Sequence, residues 1–298
     1  MSIEKYEKYN LKNLNTYKIE SIAEIVYFPK NEDEVIEILK NHKVRVIGAG
    51  SNVLFSSQGI SEPLLFMKNM DKIEDMGDKI YVEAGVMSPK FSKWASDNDI
   101  EGFEFLSTIP SSIGGNIYMN AGAYGCAISD LIVSVNVYDT EAKKLVTFSK
   151  DELNFSYRNS IFAQKNDRFV ILSAIFEKKE GKNEEIKKKI DNFVKNRQEK
   201  QPSLKTPNAG SVFKNPQGFS AGELIEKCGF KGKNYNGAMV SDIHANFILN
   251  INNAKSCDIV NLMHEIQNCV YNKFNIKLVP EIIFIGKMSD KEEQVWQQ

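Results

Sequence analysis

Short apolar-rich runs punctuated by polar turns dominate the first half of the chain. They predict strands at Ser21–Phe28, Lys43–Ile47, Leu64–Met67, Lys79–Ala84, Leu131–Tyr138, Lys144–Phe148 and Phe169–Glu177. A helix is expected to begin after Asn31, a capping residue followed by Glu32, Asp33 and Glu34, and to run through Leu39. A second spans Pro89–Asn98. Several short strands with few helices between them point to an α+β lobe and not to a regular doubly wound sheet. At Lys178–Lys200 the pattern changes: nine basic and five acidic residues interleave with Ile186, Ile190, Phe193 and Val194 at helical spacing. This reads as a solvated helix joining two lobes, the first ending near residue 178 and the second starting near 195. The second lobe is expected to hold a helix at Ala221–Cys228 stopped by Gly229 and a strand at Ala245–Ile251. An amphipathic helix at Lys255–Phe274 and a strand at Lys277–Ile285 would follow. The polar stretch 287–298 suits either a disordered tail or one more helix.

Composition narrows the partners. The 298 residues are 42% apolar and 10% aromatic, enough for a sizeable core. With 38 basic and 39 acidic residues the net charge is −1, which gives no electrostatic footprint for nucleic acid. No apolar run follows the charges of the N-terminal MSIEKYEKYNLKNLN, so no signal peptide is expected, and no stretch of spanning length is free of Gly, Asn or charge. Cys126, Cys228, Cys257 and Cys269 form no CxxC pair, so neither a zinc site nor a disulfide framework is expected, and a reduced cytoplasm fits best. His42, His244 and His264 are scattered and read as surface or core residues, not metal ligands.

Against that charged background Phe105–Ser129 carries no charge at all. Its Gly114-Gly115 pair, with Gly122 and Gly125, allows close backbone approach or positive φ, and its N–H groups face no negative neighbour. A loop wrapping the pyrophosphate or ring of a large cofactor has this make-up, as does a buried turn between core strands. Gly48-Ala49-Gly50 follows a predicted strand, but Val53 stands where a dinucleotide fingerprint needs its third glycine. The turn, with Ser51 and Asn52, could still hold a phosphate. In Tyr157-Arg158-Asn159-Ser160 the guanidinium suits a carboxylate or phosphate, or an ordinary ion pair. Ser211 and Lys214 in AGSVFKNP (209–216) share the Ser-x-x-Lys spacing of β-lactamase-like hydrolases, whose partner motifs are absent. Ser211 is then a proton donor, an anchor or a turn cap. Glu281 lies among Val279, Ile282 and Ile283. It either points to water from an edge strand or is buried, where it suits proton chemistry.

Together these segments resemble the UDP-N-acetylenolpyruvoylglucosamine reductase family, flavoenzymes that complete UDP-N-acetylmuramate in peptidoglycan synthesis. GAGSNVLF (48–55), IPSSIGGNIYMNAGAYG (109–125), YRNSIF (157–162), AGSVFKNP (209–216) and VPEI (279–282) occur in the family's order, within a match from about Thr16 to Gly286. The resemblance implies a flavin-binding lobe of the vanillyl-alcohol oxidase/PCMH type over 16–178. A linker helix over 179–194, a substrate lobe over 195–286 and a polar tail over 287–298 complete the expected organisation. It implies non-covalent FAD, gripped by Gly48, Ala49, Gly50, Ser51 and Asn52 and by Ile109, Pro110, Ser112, Gly114, Gly115, Asn116, Asn120, Ala121 and Gly122. NADPH is the implied co-substrate. By the same carry-over Arg158 holds the enolpyruvyl carboxylate, Ser211 donates a proton and Glu281 helps stabilise the intermediate. Tyr124, Lys214 and Asn215 become contacts to the UDP-sugar.

The short spacing between Arg158 and Ser211 resembles the subclass without an extra substrate-clamping insertion, and a monomer is expected. Two positions depart from the family's pattern. Ile19-Glu20-Ser21 follows Lys18 where a glycine pair is common, and Ser111 replaces a glycine, which tests whether that site needs positive φ. A flavin oxidase of the same fold, which often tethers flavin through His or Cys, and a catalytically idle nucleotide-sugar sensor are the alternative readings.

Overall fold

The computed structural model describes residues 3–165 and 168–296, and the chain divides into two units. The first takes the chain up to Tyr6, Val26–Ala49 and Pro63–Arg197. The second takes Glu7–Ile25, Gly50–Glu62 and the chain from Gln198 onward. The opening residues therefore feed both units, where the sequence suggested two lobes in succession. The reason lies in pairing: short early segments find their strand partners far along the chain.

In the first unit β1 (Lys5–Asn10) and β2 (Ile22–Tyr27) each contribute one end. Val26 and Tyr27 of β2 pair in parallel with β5 (Leu64–Phe66), whose other side pairs in parallel with β3 (Arg45–Ile47). Helix α1 (Glu32–Asn41) makes the crossover from β2 to β3. Asn31 caps it, its side chain accepting from Glu34 N at 2.9 Å, with three acids in the first turn. A five-stranded antiparallel sheet runs in the order β11 (Lys144–Ser149), β10 (Ile132–Asp139), β12 (Phe169–Glu177), β7 (Lys79–Glu83), β6 (Ile73–Asp75). On α2 (Ser88–Asp97) Phe91 lies 4.6 Å from Phe103 and 5.5 Å from Phe176 of β12, ring centre to ring centre, and anchors the aromatic core.

The uncharged stretch is not one loop. A 3-10 turn at Glu104–Thr108 leads into α3 (Ile113–Met119), because Ser112 caps a helix that Gly114 and Gly115 only weaken. A two-residue hairpin of β8 (Gly122–Ala123) and β9 (Cys126–Ala127), then α4 (Ile128–Leu131), complete it. Further on, α5 (Ile161–Gln164) precedes β12. Helix α6 (Asn183–Lys200) starts later than expected, and through Arg197 it belongs to the first unit instead of lying between the two. Of its apolar stripe only Ile186 is fully buried; Phe193 is half-buried beneath Tyr124.

In the second unit β4 (Val53–Phe55) pairs in parallel with β16 (Ile283–Ile285). A three-stranded antiparallel sheet comprises β13 (Asn234–Tyr235), β14 (Ala238–Val240) and β15 (Ile248–Asn250). Helices α7 (Ala221–Lys227) and α8 (Ser256–Phe274) bury Leu224, Ile225, Ile259, Met263 and Ile266 against Leu54, Val240 and Phe213. Two strands are shorter than expected. Residues 245–247 turn instead of extending, and before β16 the backbone is irregular around Pro280, which has no N–H to give a ladder. The polar tail contains α9 (Asp290–Trp296); Gln297 and Gln298 lie outside the described residues. Trp296 packs edge-on to Phe284, ring centres 5.4 Å apart, and its indole N–H donates to Ile282 O at 3.1 Å.

Candidate functional site

In the first unit the two glycine segments meet. A Cβ on Gly48 would lie 2.5 Å from Ser112 Oγ, so a larger residue would displace that hydroxyl where the turn after β3 meets the start of α3. Three N–H groups at the start of α3 are engaged within the protein. Ile113 N donates to Val86 O and Gly114 N to Ala84 O, both at 2.8 Å, and Gly115 N donates to Ser112 Oγ at 3.3 Å. Gly114 thereby seats the helix against Ala84 at the end of β7. The N–H groups of Ala49, Gly50 and Ser51 are outside this network.

Asn116 is fully buried. Its Nδ2 donates to Ser88 Oγ at 2.6 Å, while its Oδ1 has no hydrogen-bond partner. A buried amide oxygen without a partner costs about 1–3 kcal/mol, which a ligand donor would recover. The glycine cradle and this oxygen fit a flavin nucleotide. The family's usual glycine is not required at position 111 on backbone grounds, because Ser111 is not among the positive-φ residues. Its N–H donates to Ile109 O at 2.8 Å.

Asn120 ends α3 in the left-handed region at φ 44° and donates from Nδ2 to Ser156 O at 3.0 Å. Ser160 donates to Tyr118 O at 2.7 Å. These bonds dock a two-residue turn, closed by reciprocal Ser156–Asn159 backbone bonds of 3.1 Å, onto the C-terminal end of α3, just before the hairpin that carries Gly122 and Tyr124. Arg158 is at the turn's second position with φ 53°, an uncommon conformation for a non-glycine residue, and donates to Gly122 O at 3.3 Å. Its guanidinium lies 5.3 Å from the centre of the Tyr157 ring. Tyr124, also left-handed, stacks on Phe193 at 4.3 Å and 6°, and its hydroxyl donates to Phe193 O at 2.9 Å. Ile109, Pro110 and Ala121 flank the ends of α3 on the same segment, and Ala121 N donates to Asn116 O at 2.8 Å. Cys126 is exposed at the surface, and partial desolvation of its sulfur with the nearby carboxylates Asp130 and Glu104 pushes its thiol up.

In the second unit Gly50 is held at φ 65° with Leu14 O so close that no Cβ fits, and its carbonyl accepts from Thr16 N at 3.1 Å. Thr16 Oγ1 is buried without a hydrogen-bond partner. The departure after Lys18 is absorbed locally: Lys18 is left-handed at φ 56°, and Ser21 Oγ donates to Ser56 O at 2.7 Å. Asn52 Nδ2 donates to Glu281 O at 3.0 Å, and Glu281 N donates to Val212 O at 2.7 Å, so residues 52, 281 and 211–212 are one connected group. Glu281 is half-buried in the irregular segment before β16, neither on an edge strand nor fully enclosed. Ser211 and Lys214 are half-buried after Gly210, which adopts φ 76°, while Asn215 is exposed and its Oδ1 accepts from Ala221 N at 2.9 Å, capping the approach to α7. Asn246, not singled out from the sequence, accepts from Phe213 N at 3.0 Å and donates to Phe213 O at 2.8 Å through one carboxamide. A polar residue within the apolar run ANFILNI was the available signal.

Among the described residues no group of three or more His, Cys, Asp or Glu could hold a metal, and no helix is long and apolar enough to cross a membrane.

Comparison with known proteins bears on both units. Residues 23–148 match the model for an FAD binding domain. Residues 201–285 match that for the C-terminal domain of UDP-N-acetylenolpyruvoylglucosamine reductase. The chain is 39% identical over 282 residues to the enzyme of that name from Caldanaerobacter subterraneus, covering 93% of this chain and 92% of the relative. It is 36% identical over 285 residues to the one from Clostridium novyi, covering 94% and 92%. The crystal structure of UDP-N-acetylenolpyruvylglucosamine reductase from Thermus caldophilus superposes with a TM-score of 0.82 at 28% identity, over 96% of this chain and 99% of that one.

Proposed function

The chain belongs to the UDP-N-acetylenolpyruvoylglucosamine reductase family, and from this we infer that it reduces the enolpyruvyl ether of UDP-N-acetylenolpyruvoylglucosamine to the lactyl ether of UDP-N-acetylmuramate. When bound, FAD would supply the two-electron chemistry that links oxidation of NADPH to addition of hydride at the terminal vinyl carbon. The observation that carries the cofactor reading is the cradle of Gly48 against Ser112, beside the partnerless Asn116 Oδ1. Residues proposed to hold the nucleotide are Gly48, Ala49, Gly50, Ser51 and Asn52 with Ile109, Pro110, Ser112, Gly114, Gly115, Asn116, Asn120, Ala121 and Gly122. Those of α3 act through their close backbone packing instead of their first-turn N–H groups. Residues 16–178 are read as the flavin part and 195–286 as the substrate part.

Hydride addition leaves negative charge on the carbon next to the carboxylate. Arg158 binds that carboxylate and stabilises the spreading charge with two parallel donors. Ser211 then protonates the carbon, and Glu281 supports the charged intermediate and its collapse. Tyr124, Lys214 and Asn215 contact the UDP-sugar. The protein works as a monomer in the cytoplasm, the former checked by light scattering. The direct test is loss of NADPH absorbance with purified, FAD-supplemented protein. Rapid loss that requires both FAD and UDP-N-acetylenolpyruvoylglucosamine supports the reading. NADPH oxidation indifferent to the sugar nucleotide refutes it.

A further inference from the structure

The backbone after Ser211 is held by a residue to which neither the family's motifs nor the proposed chemistry gives a role. Val212 and Phe213 present two N–H and two C=O groups, and each is engaged. Val212 N donates to Asn246 O at 2.8 Å, and Val212 O accepts from Glu281 N at 2.7 Å. Phe213 N donates to Asn246 Oδ1 at 3.0 Å, and Phe213 O accepts from Asn246 Nδ2 at 2.8 Å. Three of the four bonds therefore go to Asn246, whose side chain closes a two-bond ring on the backbone of one residue, Phe213.

Asn246 is itself fixed. It is only 3% exposed, and its N–H donates to His244 Nδ1 at 3.2 Å. Burial pushes the His244 imidazole down from its ordinary value, which favours the neutral, accepting form. His244 packs against Gly222 at the start of α7, where an added Cβ would lie 3.0 Å from its Cε1. On the far side of the segment Lys214 N donates to Val279 O at 2.9 Å, and Phe213 bridges Pro280. The chain after Ser211 is thus clamped between residues 244–246 and 279–281.

We propose that Asn246 is a positioning residue that sets the Ser211 hydroxyl in register with Glu281 for protonation of the substrate carbon. The proposal rests on the reading of Ser211 as proton donor. A serine hydroxyl is a weak acid and works only when held in line with the carbon it protonates, and a displacement of about 1 Å can cost about 100-fold in rate. The carboxamide both accepts from and donates to the backbone of the same residue, so its effect on Ser211 is geometric, without contact to substrate.

The test separates the two half-reactions by stopped flow. Asn246→Asp keeps the size and the acceptor for Phe213 N but loses the donor to Phe213 O. Asn246→Ala loses both. Flavin reduction by NADPH is expected within about two-fold of wild type in each variant. Reoxidation by UDP-N-acetylenolpyruvoylglucosamine is expected to slow about 10- to 100-fold. In Asn246→Asp the deficit relative to wild type should shrink as pH falls, because the protonated acid regains the donor; a residue serving stability alone gives no such recovery. If Asn246→Ala does not fold, Asn246→Asp decides. Ser211→Ala is run in parallel. Wild-type reoxidation in Asn246→Asp beside a slow Ser211→Ala overturns the positioning role alone, as does equal slowing of both half-reactions. Wild-type reoxidation in Ser211→Ala removes the proton-donor reading and the proposal with it.

Discussion

Gly48→Ala tests the cradle with a single methyl group. Gly48 does not have a positive φ, so backbone strain does not enter, and the effect is set by the neighbours. The new Cβ would meet Ser112 Oγ at 2.5 Å, with Ser112 Cβ and Gly115 N both at 3.7 Å. The two last contacts are ordinary; the hydroxyl must leave. Swinging it away gives up the cap on α3, worth about 0.5–2 kcal/mol, and pushing the turn aside instead is overpacking of about 1–3 kcal/mol. A net loss of roughly 1–2 kcal/mol in the FAD-binding conformation corresponds to about 5- to 30-fold weaker FAD. The assay is fluorescence titration of the apoprotein with FAD, alongside thermal melting. Ser112→Ala removes the clashing atom, so Gly48→Ala should cost little in that background, with a coupling of about 1 kcal/mol between the two sites. Undiminished FAD affinity in Gly48→Ala, or an equal loss with and without the Ser112 hydroxyl, would refute the reasoning.

Arg158→Ala should slow flavin reoxidation by substrate about 100- to 1,000-fold while leaving NADPH-driven reduction intact, and Arg158→Lys should restore only part, since a point charge cannot reproduce the planar fork. Equal rates in Arg158→Lys and wild type would remove the bidentate role. For His244 the folded pKa is depressed below the unfolded value, so protons favour the unfolded chain. Its contribution is intact above about pH 6.5 and is lost as pH falls through the lowered folded value. Wild-type melting temperature should drop across that window more steeply than that of His244→Asn, and parallel curves would dismiss the effect. Trp296→Ala gives up the contact with Phe284 and the bond to Ile282 O, and should destabilise by about 1–2 kcal/mol, lowering the melting temperature by a few degrees. An unchanged melting temperature would mean that α9 is not held as described.

Elements whose signals are local were legible in the sequence. Helix α1 begins after Asn31 because cap and acidic first turn agree, and β12 spans Phe169–Glu177 as its apolar run indicated. Helix α7 stops with Gly229 at φ 78°. The uncharged stretch was legible as glycine-rich but not as a helix, because Gly114 sits against Ala84 at the end of β7, a partner distant in sequence. The strand at Lys277–Ile285 shrank to three residues for a related reason: residues 278–281 bond with 212–214 and 267, and Pro280 offers no N–H. The separate candidate residues were readable as residue types suited to a chemistry. Their grouping was not. That Asn52, Glu281 and Val212 form one hydrogen-bonded chain depends on long-range pairing, and Asn246 looked like one more strand residue.

That long-range pairing has a consequence for how the protein is made. Among the described residues strand β4 pairs with β16 alone, roughly 230 residues later in the chain. At about 5–20 residues per second a ribosome needs about 10–45 s to deliver that partner. Throughout this interval Val53, Leu54 and Phe55, all buried in the finished protein, lack their neighbouring strand, and so does the edge that β16 will cover. Nascent chains should therefore recruit holding chaperones from the first sixty residues onward. The β4–β16 pair of the second unit can close only after Ile285 has emerged, so this pairing should be among its slow, high-separation folding steps.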